Sequence, residues 1–386
     1  MSCNSTALKS RQKILFAAVS AGTIGVLFYN VMPLYLGTLQ DSTGLSHSQI
    51  GLVASALFLG FNLVSASSYF WVRKYSFRIA ALVSVSILSV FLALNAFTIA
   101  FLALIALAVI IGGASGALSS VSNTIISDTE NVTYWYGVKV AVESAAGVVL
   151  LFVLPITLVP LYGFKGTLAA MLFATLLLAL LFRYLPDHSH KSEVRKAASP
   201  NVESAKRPSI LPACLALSAI FLIDIGGAAI WAFEERIGTQ YGFELAWIGA
   251  VLGGSLVFAV IGPMISAALG NRFGNRVPFA LAASLMTIGV FAITSAERVA
   301  FFYASGACLL MLGWGSAVPF MFAQVAATDP NGRYITLTNP AMGIGSMLGP
   351  VLAGFLYSDR SLTPIQIMVI IVISMSIVFM WMSVQD

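Results

Sequence analysis

Charged side chains are scarce: Asp, Glu, Lys and Arg make up only 9% of the sequence, against about 25% in a soluble domain. This excludes a soluble globular protein. Cysteine is nearly missing. Cys3, Cys214 and Cys308 are scattered and odd in number, so they build neither a disulfide framework nor a metal-ligand spacing. Histidine is as rare. His47, His188 and His190 form no ligand cluster, and the last two lie in a polar stretch that reads as linker. No Ser-His-Asp set and no G-x-x-x-x-G-K-[ST] phosphate loop occurs. The sequence thus points away from an enzyme and from an ATP-driven pump. No cofactor and no metal is expected.

What abounds is hydrophobic sequence, 59% of 386 residues. A bilayer-spanning helix needs ~20 mostly apolar residues. Apolar runs suggest twelve spans, near 14–37, 48–70, 79–97, 99–126, 137–160, 166–185, 211–238, 246–269, 278–294, 299–326, 334–357 and 363–383. The first run follows Lys9, Arg11 and Lys13 and so imitates a signal peptide. It is too long and lacks a small-residue cleavage site, so it is expected to stay as the first span. Residues 186–208 are polar, charged and carry three prolines, the composition of a linker. The expected organisation is all-α: a six-helix bundle over 1–185, a cytoplasmic linker over 186–210 and a second six-helix bundle over 211–386.

Lys and Arg set the orientation. Fifteen fall on the side of the N-terminus and four (Lys165, Arg236, Arg298, Arg360) on the other, with Lys139 at a helix entrance. Both termini are therefore expected in the cytoplasm of a multi-pass inner-membrane protein. The net charge of +5 follows from this asymmetry and does not imply nucleic acid.

The halves resemble each other at a shift near 200 residues. Ile50-Gly51 recurs as Ile248-Gly249 at a shift of 198. Leu36-Gly37-Thr38 recurs as Ile237-Gly238-Thr239 at 201, as does Gly112 in Gly313. "VRKYSFR" (72–78) overlays "GNRFGNR" (270–276), and "SDTEN" (127–131) overlays "TDPNG" (328–332). Parallel repeats of this kind place a substrate site between the halves, near the midplane.

"LGNRFGNR" (269–276) resembles the loop signature G-x-x-x-D-R-x-G-R-R of the major facilitator superfamily, with Asn271 where Asp is usual. "VRKYSFR" is a degraded copy that keeps Lys74 and Arg78. "DPNGR" (329–333) and "GSMLGPVLAG" (345–354) resemble the region around the eleventh span. The resemblance implies two six-helix bundles rocking about a central cavity. It also implies that Lys74, Arg78, Arg272 and Arg276 brace an inner gate, pairing with helix ends and with acids such as Asp128 or Asp329. Two features depart from the superfamily's drug/proton antiporters. Ala108 stands where those carry Arg, and span five lacks their Gly-Pro signature, which occurs instead as Gly349-Pro350 in span eleven.

Ionisable residues within spans are costly and usually face a cavity. Asp224 lies inside "FLIDIGGAAIWAFEERIG" (221–238), roughly 20 Å past Leu211 at 1.5 Å per residue. It reads as a proton-coupling group or the partner of a cationic substrate. Otherwise it bonds a neighbouring helix or sits in a wet crevice. Asp224, Trp231 and Glu235 share one helical face. The repeat sets Thr23 opposite Asp224 and Asn30 opposite Trp231, so these four could line one cavity, with Tyr29 and Tyr35 off the stripe. The helix end Glu234-Glu235-Arg236 is expected to meet water, with Glu235 a possible assistant in proton coupling.

Lys139 and Glu143, four residues apart, can pair on one face of span five. Either they form a structural or gating pair, or Lys139 binds a substrate carboxylate and Glu143 a second proton. Span four offers Ser115, Ser119, Ser122 and Asn123, beside a Gly-x-x-x-Gly that favours close packing. Ser119 and Asn123 remain cavity candidates, with Asn62, Trp314 and Asn339, the last before Pro340. The expected function is secondary transport of a small organic solute by alternating access, coupled to protons. Multidrug or metabolite efflux, or an uncoupled facilitator of the same fold, is the alternative, and a non-transporting receptor stands third. The expected partners are a small-molecule substrate, protons and the lipid bilayer, with the chain a monomer.

Overall fold

The computed structural model describes residues 2–129, 132–187, 210–269, 272–297, 299–328, 334, 337–358 and 360–383. The linker residues 188–209 and the "DPNGR" motif lie outside them. The described residues form twelve α-helices and no strand. They are α1 (Ser2–Thr43), α2 (His47–Trp71), α3 (Phe77–Asn95), α4 (Phe101–Ser127), α5 (Val132–Val153) and α6 (Leu158–Ala179), the last followed by a 3₁₀ turn, Leu180–Tyr184. After the linker come α7 (Ile210–Gln240), α8 (Leu245–Leu269), α9 (Arg276–Thr294), α10 (Ala300–Thr328), α11 (Thr338–Leu356) and α12 (Thr363–Met382).

Eleven of these are long and apolar enough to cross a membrane. The exception is α11, whose four glycines and two prolines dilute its apolar content. Span six differs from expectation. It begins at Leu158 because Pro155 falls in a turn, and α6 kinks at Gly163 (φ 55°).

Turn chemistry sets the helix ends. Ser46 caps α2 with Gln49 in a reciprocal capping box. The turns after α1 and α7 each hold one glycine in the left-handed region, Gly44 (φ 68°) and Gly242 (φ 81°). These two positions are 198 residues apart, so the repeat extends to the turns.

In the first half α1 packs against α4, α5 and α6, and in the second α7 packs against α10, α11 and α12. Among the described residues the halves meet chiefly through three helix pairs: α1 with α7, α2 with α11, and α5 with α8. Large apolar side chains of α3, α6, α9 and α12 remain exposed, among them Val90, Phe173, Phe291 and Ile371. Such faces suit lipid, where helices associate by close packing rather than by hydrophobic burial.

Glycine provides that packing. A Cβ on Gly112 of α4 would collide with the Leu57 carbonyl of α2, and one on Gly116 with the Phe61 carbonyl. The reading of 112–116 as a packing segment rests on these backbone approaches. Gly112→Ala should destabilise the protein by about 1–3 kcal/mol through overpacking. The check is thermal unfolding in detergent, where an unshifted transition would contradict so tight an α2–α4 crossing.

The repeated Gly51 and Gly249 play matching parts between the halves. A side chain at Gly51 would strike the Pro350 carbonyl of α11, and one at Gly249 the Leu151 carbonyl of α5. Both crossings lie toward the end of the bundle that carries the α1–α2 and α7–α8 turns, hereafter the distal end.

Candidate functional site

Asp224 sits on α7 and is 3% exposed. Trp314 of α10 donates its indole N–H to Asp224 Oδ1 at 3.2 Å. The other oxygen, Oδ2, is buried and has no hydrogen-bond partner among the described residues. Gly345 of α11 lets that helix approach the Phe221 carbonyl and the Asp224 Cβ. The acid therefore stands where α7, α10 and α11 meet and where the first half begins. Trp314 and Asp224, singled out separately by sequence, are brought into direct contact.

Trp231, about two turns further along α7, donates its N–H to the Tyr29 backbone carbonyl at 2.9 Å. This bond joins the two halves. Tyr29 also meets Phe58 of α2 edge-on at 5.9 Å. Its neighbour Asn30 turns the other way and donates to the Glu143 carbonyl of α5 at 2.8 Å. Thr23 donates to Val19 in its own helix at 3.0 Å. Thr23, Asn30, Asp224 and Trp231 are all buried. The structure thus ties Trp231 to α1, but it points Asn30 at α5 and closes the Thr23 hydroxyl on its own backbone.

Lys139 Nζ lies 2.6 Å from Glu143 Oε1, and both residues are buried. The pair packs against Gly22 of α1. A Cβ there would come within 2.6 Å of Lys139 Cε, 2.7 Å of Ser122 Oγ and 2.8 Å of Glu143 Oε1. Ser119 is buried, its backbone pressed against Gly25 of α1. The Asn123 carbonyl accepts from the Tyr136 hydroxyl at 3.2 Å. Asn62 donates to the Gly343 carbonyl of α11 at 2.9 Å, a further link between the halves. Asn339 is not brought to this group. It is exposed in the first turn of α11, six residues (about 9 Å at 1.5 Å each) ahead of Gly345.

At the end opposite the distal one, Arg73 grips Asp128 with two hydrogen bonds of 3.0 and 3.2 Å. Sequence reasoning passed over Arg73 in favour of its neighbour. Lys74, Arg78 and Arg272 are exposed, and Arg276 lies over the Trp381 ring at 5.7 Å. Asp329 lies outside the described residues.

One expectation is overturned. The helix end Glu234-Glu235-Arg236 does not meet water: Glu234 is fully buried and Glu235 is 2% exposed. The reason is that α7 continues to Gln240 and lies along α1 there, so this stretch is interior to the bundle.

The family model described as Major Facilitator Superfamily matches residues 15–350. The chain belongs to the major facilitator superfamily. Solved structures of transporters share the superfamily fold. The nucleoside transporter NupG aligns with TM-score 0.69 at 14% identity, covering 97% of this chain and 99% of that one. A structure described as showing substrate recognition in proton dependent oligopeptide transporters aligns with TM-score 0.72 at 13% identity, covering 97% of each chain. A bacterial homolog of the human lysosomal transporter Spinster, in an inward-facing and unoccupied conformation, aligns with TM-score 0.67 at 14% identity, covering 97% and 95%. No curated protein matches by sequence. Within the superfamily's architecture, Asp224, Trp314, Tyr29 and Trp231 sit on helices that face the partner half or adjoin one that does.

Proposed function

We propose that this superfamily member is a proton-coupled secondary transporter that moves a small organic solute across the inner membrane by alternating access. Asp224 is the titrating group in this reading, and Glu143 and Glu235 are subordinate to it. One observation carries the reading. Four acids are buried among the described residues of the spans: Glu143, Asp224, Glu234 and Glu235. Glu143 lies beside Lys139 and Glu235 beside Arg236. Asp224 has an indole on one oxygen and no hydrogen-bond partner on the other among the described residues. A lone acid in a membrane interior must be neutralised, either by a proton or by a cationic group of a solute. Glu234 is also without a cation, but it lies against α10 of its own half: Tyr303 donates to its backbone carbonyl at 2.7 Å. Asp224 stands at the junction with α1, where a change in the packing of the halves would reach it.

The bias of Lys and Arg supports cytoplasmic termini, which makes the distal end the extracellular face. The Gly51–Pro350 and Gly249–Leu151 crossings lie toward that end, and the Asn62–Gly343 bond lies toward the other. The Asp224 carboxylate and the Trp314 indole suit a small organic solute. Lys139, neutralised by Glu143, is in reserve for an acid only if that pair opens.

The test is proton flux in proteoliposomes loaded with a pH-sensitive dye. Panels of nucleosides, dipeptides and organic amines are added outside without an imposed gradient. A transported solute should move protons in step with its own flux. Solute flux without proton movement would make the chain a facilitator. Binding without any flux would make it a receptor, and either result would end the proposal.

A further inference from the structure

The buried "EER" segment has a use that solute and proton binding do not exhaust. Arg236 reaches from the second half into the first. It donates to the backbone carbonyl of Gly37 on α1. It also lies 2.7 Å from Asp41 Oδ1 of α1 and 3.2 Å from Glu235 Oε2 of its own helix. Glu235 is fixed in turn by the Thr239 hydroxyl at 2.9 Å. Gly37 makes the fit possible, because a Cβ there would occupy the place of the Glu235 carboxylate. The cluster is graded. The Asp41 side chain is 65% exposed, that of Arg236 12% and that of Glu235 3%.

A second contact flanks it. His47, at the start of α2, stacks on Tyr357, just past α11, at 4.2 Å. Tyr357 donates to Gln240 at the end of α7 at 2.8 Å, and Gln40 of α1 bonds His47 at 3.0 Å. The distal ends of α1, α2, α7 and α11 are thereby joined by polar groups rather than by apolar packing alone.

The cluster is also one-sided. At the repeat shift of 201, Glu235 and Arg236 correspond to Leu34 and Tyr35. The glycine matching Gly37 is Gly238, whose vacant side is filled by Ile248 and the Tyr303 hydroxyl of its own half. Among the described residues, the repeat-related position around Gly238 therefore holds no matching ion-pair bridge.

We propose that Arg236, seated by Glu235 and Gly37 and held from the water side by Asp41, is an electrostatic latch that keeps the distal ends of the two halves together. Opening the distal end requires Arg236 to leave both Asp41 and the Gly37 carbonyl. Asp41 is the exposed member of an ion pair, so its loss is mild. Loss of Arg236 is severe, because it strands the Glu235 carboxylate without its cation.

Spin labels at Ser42 and Glu244, both exposed on the distal turns, read the separation of the halves by pulsed dipolar spectroscopy. The background has all three cysteines replaced by serine. The wild type should show a dominant short distance and a minor long one. Asp41→Asn should raise the ratio of open to closed molecules by about two- to fivefold, the range of an exposed ion pair. Arg236→Gln should raise it by more than about tenfold, and Asp41→Glu should match the wild type. Unchanged distances in Asp41→Asn and Arg236→Gln would overturn the latch. If Arg236→Gln does not fold, Asp41→Asn decides alone, since its side chain lies largely in water. The readout is a distance, so it stands or falls separately from proton coupling at Asp224.

Discussion

Lys139→Met alone should destabilise the protein by about 3–5 kcal/mol, the cost of leaving one partner of a buried ion pair uncompensated. Glu143 would keep its place against Gly22 and Ser122, with no cation 2.6 Å away. Glu143→Leu alone should cost a similar amount by stranding Lys139. The double variant Lys139→Met/Glu143→Leu should recover most of the loss, because well-packed apolar residues often replace a buried pair at no net cost. Thermal unfolding of the four proteins in detergent gives the coupling directly. Additive losses would mean that the two residues do not act as a pair. The same double variant separates the two roles left open by sequence. A structural pair leaves solute flux intact once stability is restored, whereas a solute-binding pair abolishes flux at unchanged stability.

Asp224→Asn should abolish gradient-driven accumulation and spare exchange. Asparagine keeps the size of the side chain and a carbonyl oxygen for the Trp314 N–H. Fold and packing should therefore survive, and only the exchangeable proton is lost. For one proton per solute in an electroneutral cycle, a gradient of about one pH unit sustains about tenfold accumulation. The variant should fall to no accumulation, a loss of about tenfold, while counterflow between equal pH values continues. The measurement is uptake of a solute found in the flux panel, with and without a pH step. Wild-type accumulation by Asp224→Asn would remove Asp224 from the coupling step. Loss of counterflow as well would instead make it a solute-binding group.

Much of the fold was legible because the bilayer imposes one signal, length of apolar sequence, and because the repeat aligned the halves twice over. The matched pairs Gly51 with Gly249 and Gly44 with Gly242 occupy equivalent places in the structure. Asp224 stood out for the same reason: a carboxylate is conspicuous in an apolar run. Trp314 was a separate candidate, but its pairing with Asp224 was not legible, since the two are 90 residues apart and nothing local ties them. The "EER" segment was misread because charges near a helix end ordinarily mark water. The signal that corrected it was on another helix, in the missing side chain of Gly37. Asn339, a cavity candidate by sequence, lies exposed in the first turn of α11, whose start at Thr338 composition does not fix. Arg73 was overlooked because adjacent basic residues are equivalent to a charge count, and only tertiary structure decides which meets Asp128.

The crossings at Gly51 and Gly249 are bearings. Each rests on the main chain of the opposite helix, at the Pro350 and Leu151 carbonyls. At Gly249 the Pro155 ring, just past α5, closes the same space, so both crossings leave no room for a side chain. The two glycines therefore have no conservative replacement, and a single methyl group at either would jam the joint for every cargo alike.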